Sequence, residues 1–323
     1  MSGERNLLCA YLLTQRSHEK LTWNKIEHWQ PEQGFLWVHL NAEAGKTKQW
    51  LRKSSGLDKV TCMAMLEPDP RPRVIFTPKG ILVTMRGVNC NPGQDTEDMV
   101  SIRLWLDKHR IITTQRRALL SVTDIKEGIS NGQGPISSAD FLVMLIQKLV
   151  ERIGLAVEEL DEKVDNLEEA VMSAESRILR PQISDVRRQA TMIRRYLAPQ
   201  REALSRLTLE HTELLSSEQR LQIRESTDSI IRHIEDLDEL KDRAIIIQEE
   251  LSSRLSEQLD KRMYLLSIVA VIFLPLTFIT GLLGINVEGI PGARNPWGFS
   301  VVCIILLGIF MGILWVFKRQ KWV

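Results

Sequence analysis

Two stretches near the C-terminus limit this chain more than anything else in it. From Met263 to Leu283 (MYLLSIVAVIFLPLTFITGLL) and from Phe299 to Phe317 (FSVVCIILLGIFMGILWVF), 21 and then 19 residues pass without one charge. Each is close to the roughly 20 residues that cross about 30 Å of hydrocarbon as a helix. Neither has a polar face, which an ordinary helix at the surface of a soluble core would need. Both are expected to span a membrane. The chain as a whole is 26% charged with a net charge of +1, which excludes a wholly membrane-buried protein and a disordered polyelectrolyte.

Asp260, Lys261 and Arg262 precede the first run, and Lys318, Arg319 and Lys321 follow the second, whereas the connecting loop holds only Glu288 and Arg294. Basic residues at both outer flanks predict that both termini are cytoplasmic and the loop external. The short apolar run Leu7 to Leu13 lacks the length and cleavage site of a signal peptide, so a cytoplasmic start is expected. Two helices cannot enclose a path alone. Function through these spans therefore requires several copies in one bilayer, each giving one helix to a shared axis.

Between Gly154 and Gly281 there is no glycine, and prolines occur only at Pro181, Pro199 and Pro275. That composition predicts long helices: one from about Ser138 to Glu175, one from about Pro181 to His211 with Pro199 as a kink or break, and one from about Ser217 straight into the first span. In the third, Ile230, Ile234, Leu237, Ala244, Leu251, Leu255 and Leu259 form a narrow seam suited to packing against copies of itself. Upstream, LLCAYLL (7–13), FLWVHL (35–40), RVIFT (73–77), ILVTMRGV (81–88), MVSIRLWL (99–106) and RIITTQ (110–115) read as strands, with helices at 43–55, 57–67 and 119–130. The expected fold is a mixed-sheet α/β domain followed by a helical stalk and membrane helices.

Glu158, Glu159, Asp161, Glu162, Asp165, Glu168 and Glu169 make the first long helix acidic, and Arg187, Arg188, Arg194, Arg195 and Arg201 make the second basic. Mutual ion pairing of an antiparallel couple is the leading reading, with cation capture by the acidic helix as the alternative. No aromatic interleaving or basic excess supports nucleic-acid binding. Glu235, Asp236, Asp238, Glu239 and Asp242 form a second acidic group, diluted by Lys241 and Arg243. In a bundle of copies, any of them facing the axis becomes a ring that concentrates divalent cations; a solvated helix face is the plainer reading. The six histidines show no HxH or HxxxH spacing, and Cys9, Cys62, Cys90 and Cys303 form no CxxC pair, so no metal-ligand cluster is predicted. No GxSxG, P-loop or dinucleotide motif points to an enzyme, and no cofactor is expected.

After the first span the chain reads Thr280-Gly-Leu-Leu-Gly-Ile-Asn286-Val-Glu-Gly-Ile-Pro-Gly292. The triplet Gly284-Ile285-Asn286, closing the first of two C-terminal spans after a long charged helix, resembles the Gly-Met-Asn signature of CorA-type metal ion channels. Leu274-Pro-Leu-Thr277 is similar to the segment before that signature. Ile285 departs from the family's methionine, and the Gly-Ile-Asn-Val-x-Gly-Ile-Pro-Gly run, Arg71-Pro-Arg-Val-Ile-Phe-Thr77 and Val100-Ser-Ile-Arg-Leu-Trp-Leu106 are similar to the zinc-transporting ZntB branch.

The resemblance implies a homopentamer in a bacterial inner membrane, a funnel-shaped cytoplasmic domain and a ring of Asn286 at the outer mouth. It assigns pore positions to Asp260, Met263, Leu274 and Thr277, with Gly284 offering its carbonyl. The implied organisation is a cytoplasmic α/β domain over 1–135, a stalk over 136–262, a pore-lining span over 263–283, an external loop over 284–298, a second span over 299–317 and a basic tail over 318–323. An asparagine amide accepts hydrogen bonds from water around a cation without trapping the ion; the alternative is that Asn286 merely ends a helix. The expected activity is transport of divalent cations, zinc above others, with proton-coupled uptake implied by the resemblance alone. Magnesium or cobalt conduction and zinc efflux are the alternatives. Neither span holds Asp, Glu, His, Lys or Arg, so a stripped zinc ion would find none of its nitrogen or carboxylate ligands, and Cys303 sits on the second, outer span. The cation is expected to cross largely hydrated, with Glu288 at the external mouth.

Overall fold

The computed structural model describes residues 6–14, 18–173, 176–210, 212–285 and 296–319. The chain divides into two compact units, Met1–Gln248 and Glu249–Val323.

The first unit is organised by a seven-stranded sheet. Strands β1 (Leu7–Leu13), β3 (Phe35–Asn41), β4 (Arg73–Thr77), β5 (Gly80–Gly87), β6 (Val100–Leu106) and β7 (Arg110–Gln115) coincide with the six apolar runs. β2 (His18–Lys20) was not legible in the sequence. It is a short exposed polar segment that becomes a strand only by pairing with β1, Leu12 opposite Glu19. The order is β2-β1-β3-β7-β6-β5-β4, and the pair β3–β7 is parallel while its neighbours are antiparallel. The sheet is thus mixed, as expected.

Helices α1 (Trp23–Glu27), α2 (Gly45–Lys53) and α3 (Lys59–Leu66) precede β4, and α4 (Leu120–Ser130) follows β7. Leu36, Val38 and Leu40 of β3 pack with Trp50 and Leu51 of α2 and Cys62 and Met65 of α3. On the opposite face Trp37 meets Phe141 of α5 (Ser138–Ser173), ring centroids 4.7 Å apart. A strand buried on both faces reads as a continuous apolar run rather than an alternation, and each such side chain contributes roughly 1.5–3 kcal/mol.

The second long helix, α6 (Ser176–Leu209), departs from expectation: it begins before Pro181, and both Pro181 and Pro199 lie inside it. A proline removes one backbone hydrogen bond; the buried row Leu179, Ile183, Val186, Ala190, Ile193, Leu197, Leu204 and Leu207 holds the helix together across both.

Helix α7 (Ser217–Leu283) is continuous into the first apolar run, as predicted. Its seam is corrected. Ile230, Ile234, Leu237 and Ala244 are buried within the single chain, whereas Leu259 is 58% exposed. The upper seam finds its apolar partners in its own chain, where contacts tie α7 to α5 and α6. The expected pairing of acidic α5 with basic α6 is corrected by the same contacts. Asp161, Asp165 and Glu168 converge on Arg243 of α7, at 2.8, 2.5 and 2.9 Å. Arg194 of α6 pairs with Asp238 of α7 at 2.7 Å, and Arg188 with Glu97 and Asp185. Glycine at Gly154 of α5 has a packing reason: a Cβ there would stand 3.2 Å from the His233 ring.

The second unit contains the end of α7 and helix α8 (Gly298–Arg319). Both helices are long and apolar enough to cross a membrane, and their most apolar windows are almost unburied, 6% and 0%. Core helices of soluble proteins are buried. Near the end of α8, Arg319 lies over the Trp315 ring at 5.3 Å, a pairing suited to a membrane–water boundary.

Candidate pore-lining face of α7

On an α-helix successive residues turn by about 100°, so position along α7 fixes which side chains share a face. Asp260, Met263, Leu274, Thr277 and Gly284 fall within an arc of roughly 120°. Ser267, Ala270 and Gly281, which were not singled out above, fall in the middle of the same arc, and Leu266 and Phe278 stand at its two edges. The opposite side carries Leu265, Ile268, Val269, Ile272, Leu276, Ile279 and Leu283, all large and apolar. The two sides of the span therefore differ in their middles: one is centred on small and hydroxyl-bearing residues with Met263 and Leu274 and is edged by Leu266 and Phe278, and the other is all branched aliphatics. The signal was present in the sequence as small residues spaced three, four and seven apart.

The hydroxyls turn partly inward on the helix. Ser267 Oγ donates to the Met263 carbonyl at 2.9 Å, and Thr280 Oγ1 to the carbonyls of Leu276 and Thr277, each at 3.0 Å. The helix closes at Gly284, whose N–H reaches the Thr280 carbonyl at 2.9 Å. Pro275 within the span leaves the Val271 carbonyl without its helical donor. Asp260, Met263, Leu274, Thr277 and Ile285 are all exposed. Small residues let backbones of neighbouring helices approach closely.

A model of the family described as "CorA-like Mg2+ transporter protein" matches residues 32–319, nearly the whole chain. The chain belongs to the CorA-like Mg2+ transporter family. It is 35% identical over 324 residues to the divalent cation transporter CmaX of Pseudomonas aeruginosa, covering 99% of this chain and 97% of that one. The solved structure of full-length CmaX superposes with a TM-score of 0.85 at 34% identity, with 98% of each chain covered. The zinc transport protein ZntB of Pectobacterium atrosepticum is 32% identical over 286 residues, 88% of this chain and 87% of that protein. The CorA magnesium transporter of Methanocaldococcus jannaschii shares the fold, with a TM-score of 0.84 over 98% of both chains at 16% identity.

In this CorA-like transporter the triplet is divided: Gly284 and Ile285 form the turn directly after α7, while Asn286 and Glu288 lie outside the described residues. The acidic group of α7 is not uniform. Glu235, Asp236 and Glu239 are exposed, but Asp238 is held by Arg194 and by Lys241 at 3.1 Å. Burial pushes the Asp238 carboxyl up, and hydrogen bonds from Arg194 and Lys241 outweigh it, leaving the group below the usual carboxylate range. Its charge is committed to holding α6 against α7. Asp236 stands 3.7 Å from His233 Nδ1.

Proposed function

We propose that this chain carries divalent cations, zinc foremost, through a membrane along an axis lined by the small-residue face of α7 from five copies. The observation that carries the reading is the asymmetry of the span: a strip of Ser267, Ala270, Thr277, Gly281 and Gly284, interrupted by Met263 and Leu274 and edged by Leu266 and Phe278, backed by a side of large aliphatics. Such a helix packs its apolar side among neighbours and lipid and offers the other to a narrow aqueous path. That path holds no charged, thiol or imidazole ligand between Met263 and Leu283, so the ion keeps most of its water and exchanges hydrogen bonds with hydroxyls and carbonyls. Asn286 forms the amide ring at the outer mouth, Glu288 raises the local cation concentration there, and Asp260, Glu235, Asp236 and Glu239 do so at the cytoplasmic end. The setting proposed is a bacterial inner membrane with both termini inside and uptake as the direction. An intramembrane proton relay uses an ionisable side chain, so coupling to a proton gradient would run through Asp260 or Glu288 at the two ends of the span.

A second reading, conduction of magnesium or cobalt, is favoured by the same feature, because magnesium sheds its water reluctantly and this lining does not require it to. Zinc's preference rests on Ile285 and the loop after it and on the likeness to zinc transport proteins of the family. Flux into liposomes loaded with a metal-sensitive dye separates the readings. Zinc, cobalt, nickel and cadmium are expected to cross at comparable rates and magnesium more slowly, with zinc uptake accelerated by an inward proton gradient. Sharp discrimination among the four transition-series ions would count against a hydrated path, and faster magnesium would favour the second reading.

A further inference from the structure

On the sheet face covered by α3, Arg73, Thr84, Arg103 and Thr114 are successive cross-strand neighbours on β4, β5, β6 and β7. Side chains so paired stand about 5 Å apart at Cβ, so the four form one contiguous polar row beside the apolar cluster. The end of α3 and the residues after it lie over the row. Thr114 Oγ1 donates to the Met65 carbonyl at 2.6 Å. Arg103 Nη2 donates to the carbonyls of Glu67 and Pro68, and Arg73 Nη2 to Glu67 Oε2 at 2.6 Å.

Three polar atoms of this row are buried without a hydrogen-bond partner: Arg73 Nε, Thr84 Oγ1 and Arg103 Nε. Thr84 and Arg103 are each 0% exposed. Arg103 also lacks a counter-ion. Its hydrogen bonds go to main-chain carbonyls, Ser101 being the third acceptor, and among the described residues no carboxylate forms an ion pair with it. Burial, reinforced by the charges of Arg116 and Arg86 and partly opposed by those of Glu67 and Asp69, lowers the guanidinium to about 10, so it is still a cation at neutral pH. Nearby, three guanidinium groups (Arg73, Arg86, Arg103) face two carboxylates, Glu67 and Asp69. A buried charge without a partner is strongly unfavourable, and so is each unmet donor. A water molecule would answer the donors and leave the charge; a small anion answers both.

We propose that Arg73 Nε, Thr84 Oγ1 and Arg103 Nε bind one halide-sized anion, chloride in the cell, which ties β4, β5 and β6 together beneath the end of α3. The test uses the full-length protein in detergent, unfolded thermally at constant ionic strength while gluconate is replaced by bromide. A ligand bound only to the folded state raises the melting temperature in a saturable way. The wild type is expected to show that rise. Thr84→Val keeps the side-chain shape and removes the hydroxyl, and it is expected to shift the half-saturating bromide concentration up by roughly tenfold, the effect of losing one hydrogen bond to a charged group. Thr84→Ser is expected to restore it. Crystals soaked in bromide are expected to show an anomalous peak between Thr84 and Arg103. Identical melting in gluconate and bromide, an unchanged response in Thr84→Val, or an ordered water with no bromide peak would each overturn the proposal. Arg103→Met is the sharper variant, and Thr84→Val decides the matter if Arg103→Met does not fold.

Discussion

Folding takes His39 of β3 entirely out of water, with Nδ1 2.7 Å from Thr113 Oγ1. Burial, joined by the charge of Lys126 and opposed by a hydrogen bond with Gln115, lowers the imidazole from 6.5 to about 3. Between those two values the unfolded chain binds the proton and the folded one does not. Stability is therefore complete above pH 6.5 and falls as the pH drops toward 3, by up to about 1.4 kcal/mol per unit. Unfolding followed from pH 7 to pH 5 should show this slope, and His39→Gln should flatten it whatever it does to the absolute stability. At the other end of the chain the proposed path places most weight on Asn286. Asn286→Ala is expected to cut zinc flux in proteoliposomes by about tenfold or more, because an amide collar acts on every passing ion, with the elution volume of the assembly unchanged. An active variant would return Asn286 to the role of a helix end.

Among the elements, a few ion pairs link α5, α6 and α7 alongside their buried apolar rows. Arg243 collects three carboxylates from α5, and its guanidinium is raised further above its ordinary range chiefly by the hydrogen bonds to Glu168 and Asp165. Because Asp161, Asp165 and Glu168 are 54%, 64% and 45% exposed, solvent weakens the network, and Arg243→Met should cost on the order of 1 kcal/mol. The variant also leaves three like charges side by side, so added salt should recover part of the loss. Thermal unfolding at low and high salt measures both effects. Here the sequence was half legible: opposite charges on consecutive helices were plain, but the partner of the acidic face is two helices on, not one. The strands were legible because β-branched runs between turn residues are a local signal. β2 was not, since its three polar residues acquire strand geometry only from β1.

At the scale of the whole molecule, two apolar helices in one chain leave their large side chains open: Leu265, Leu266, Phe273 and Phe278 on α7, and Phe299, Ile304 and Leu307 on α8, are all at least half exposed. In the proposed assembly lipid covers part of such a surface and neighbouring copies the rest. Native mass spectrometry of the detergent-solubilised protein should find five copies. A monomer under conditions that preserve zinc flux would remove the shared axis on which the proposed path depends.

The sequence by itself determined that there are two spans, that a glycine-free stretch becomes long helix, that the upstream runs make a mixed sheet, and that the triplet after the first span places the chain in its family. These are properties of neighbouring residues: hydrophobic length, helix periodicity and backbone freedom are all read within a few turns. Tertiary structure alone decided that the seam from Ile230 to Ala244 is buried within its own chain, that Arg243 of α7 gathers Asp161, Asp165 and Glu168 of α5, and that Arg103 is enclosed beside Thr84 with a donor unmet. Such outcomes depend on which distant face a side chain meets and at what register. A charge or a methyl group in the sequence carries no record of its partner, which is chosen only when helices cross and strands pair.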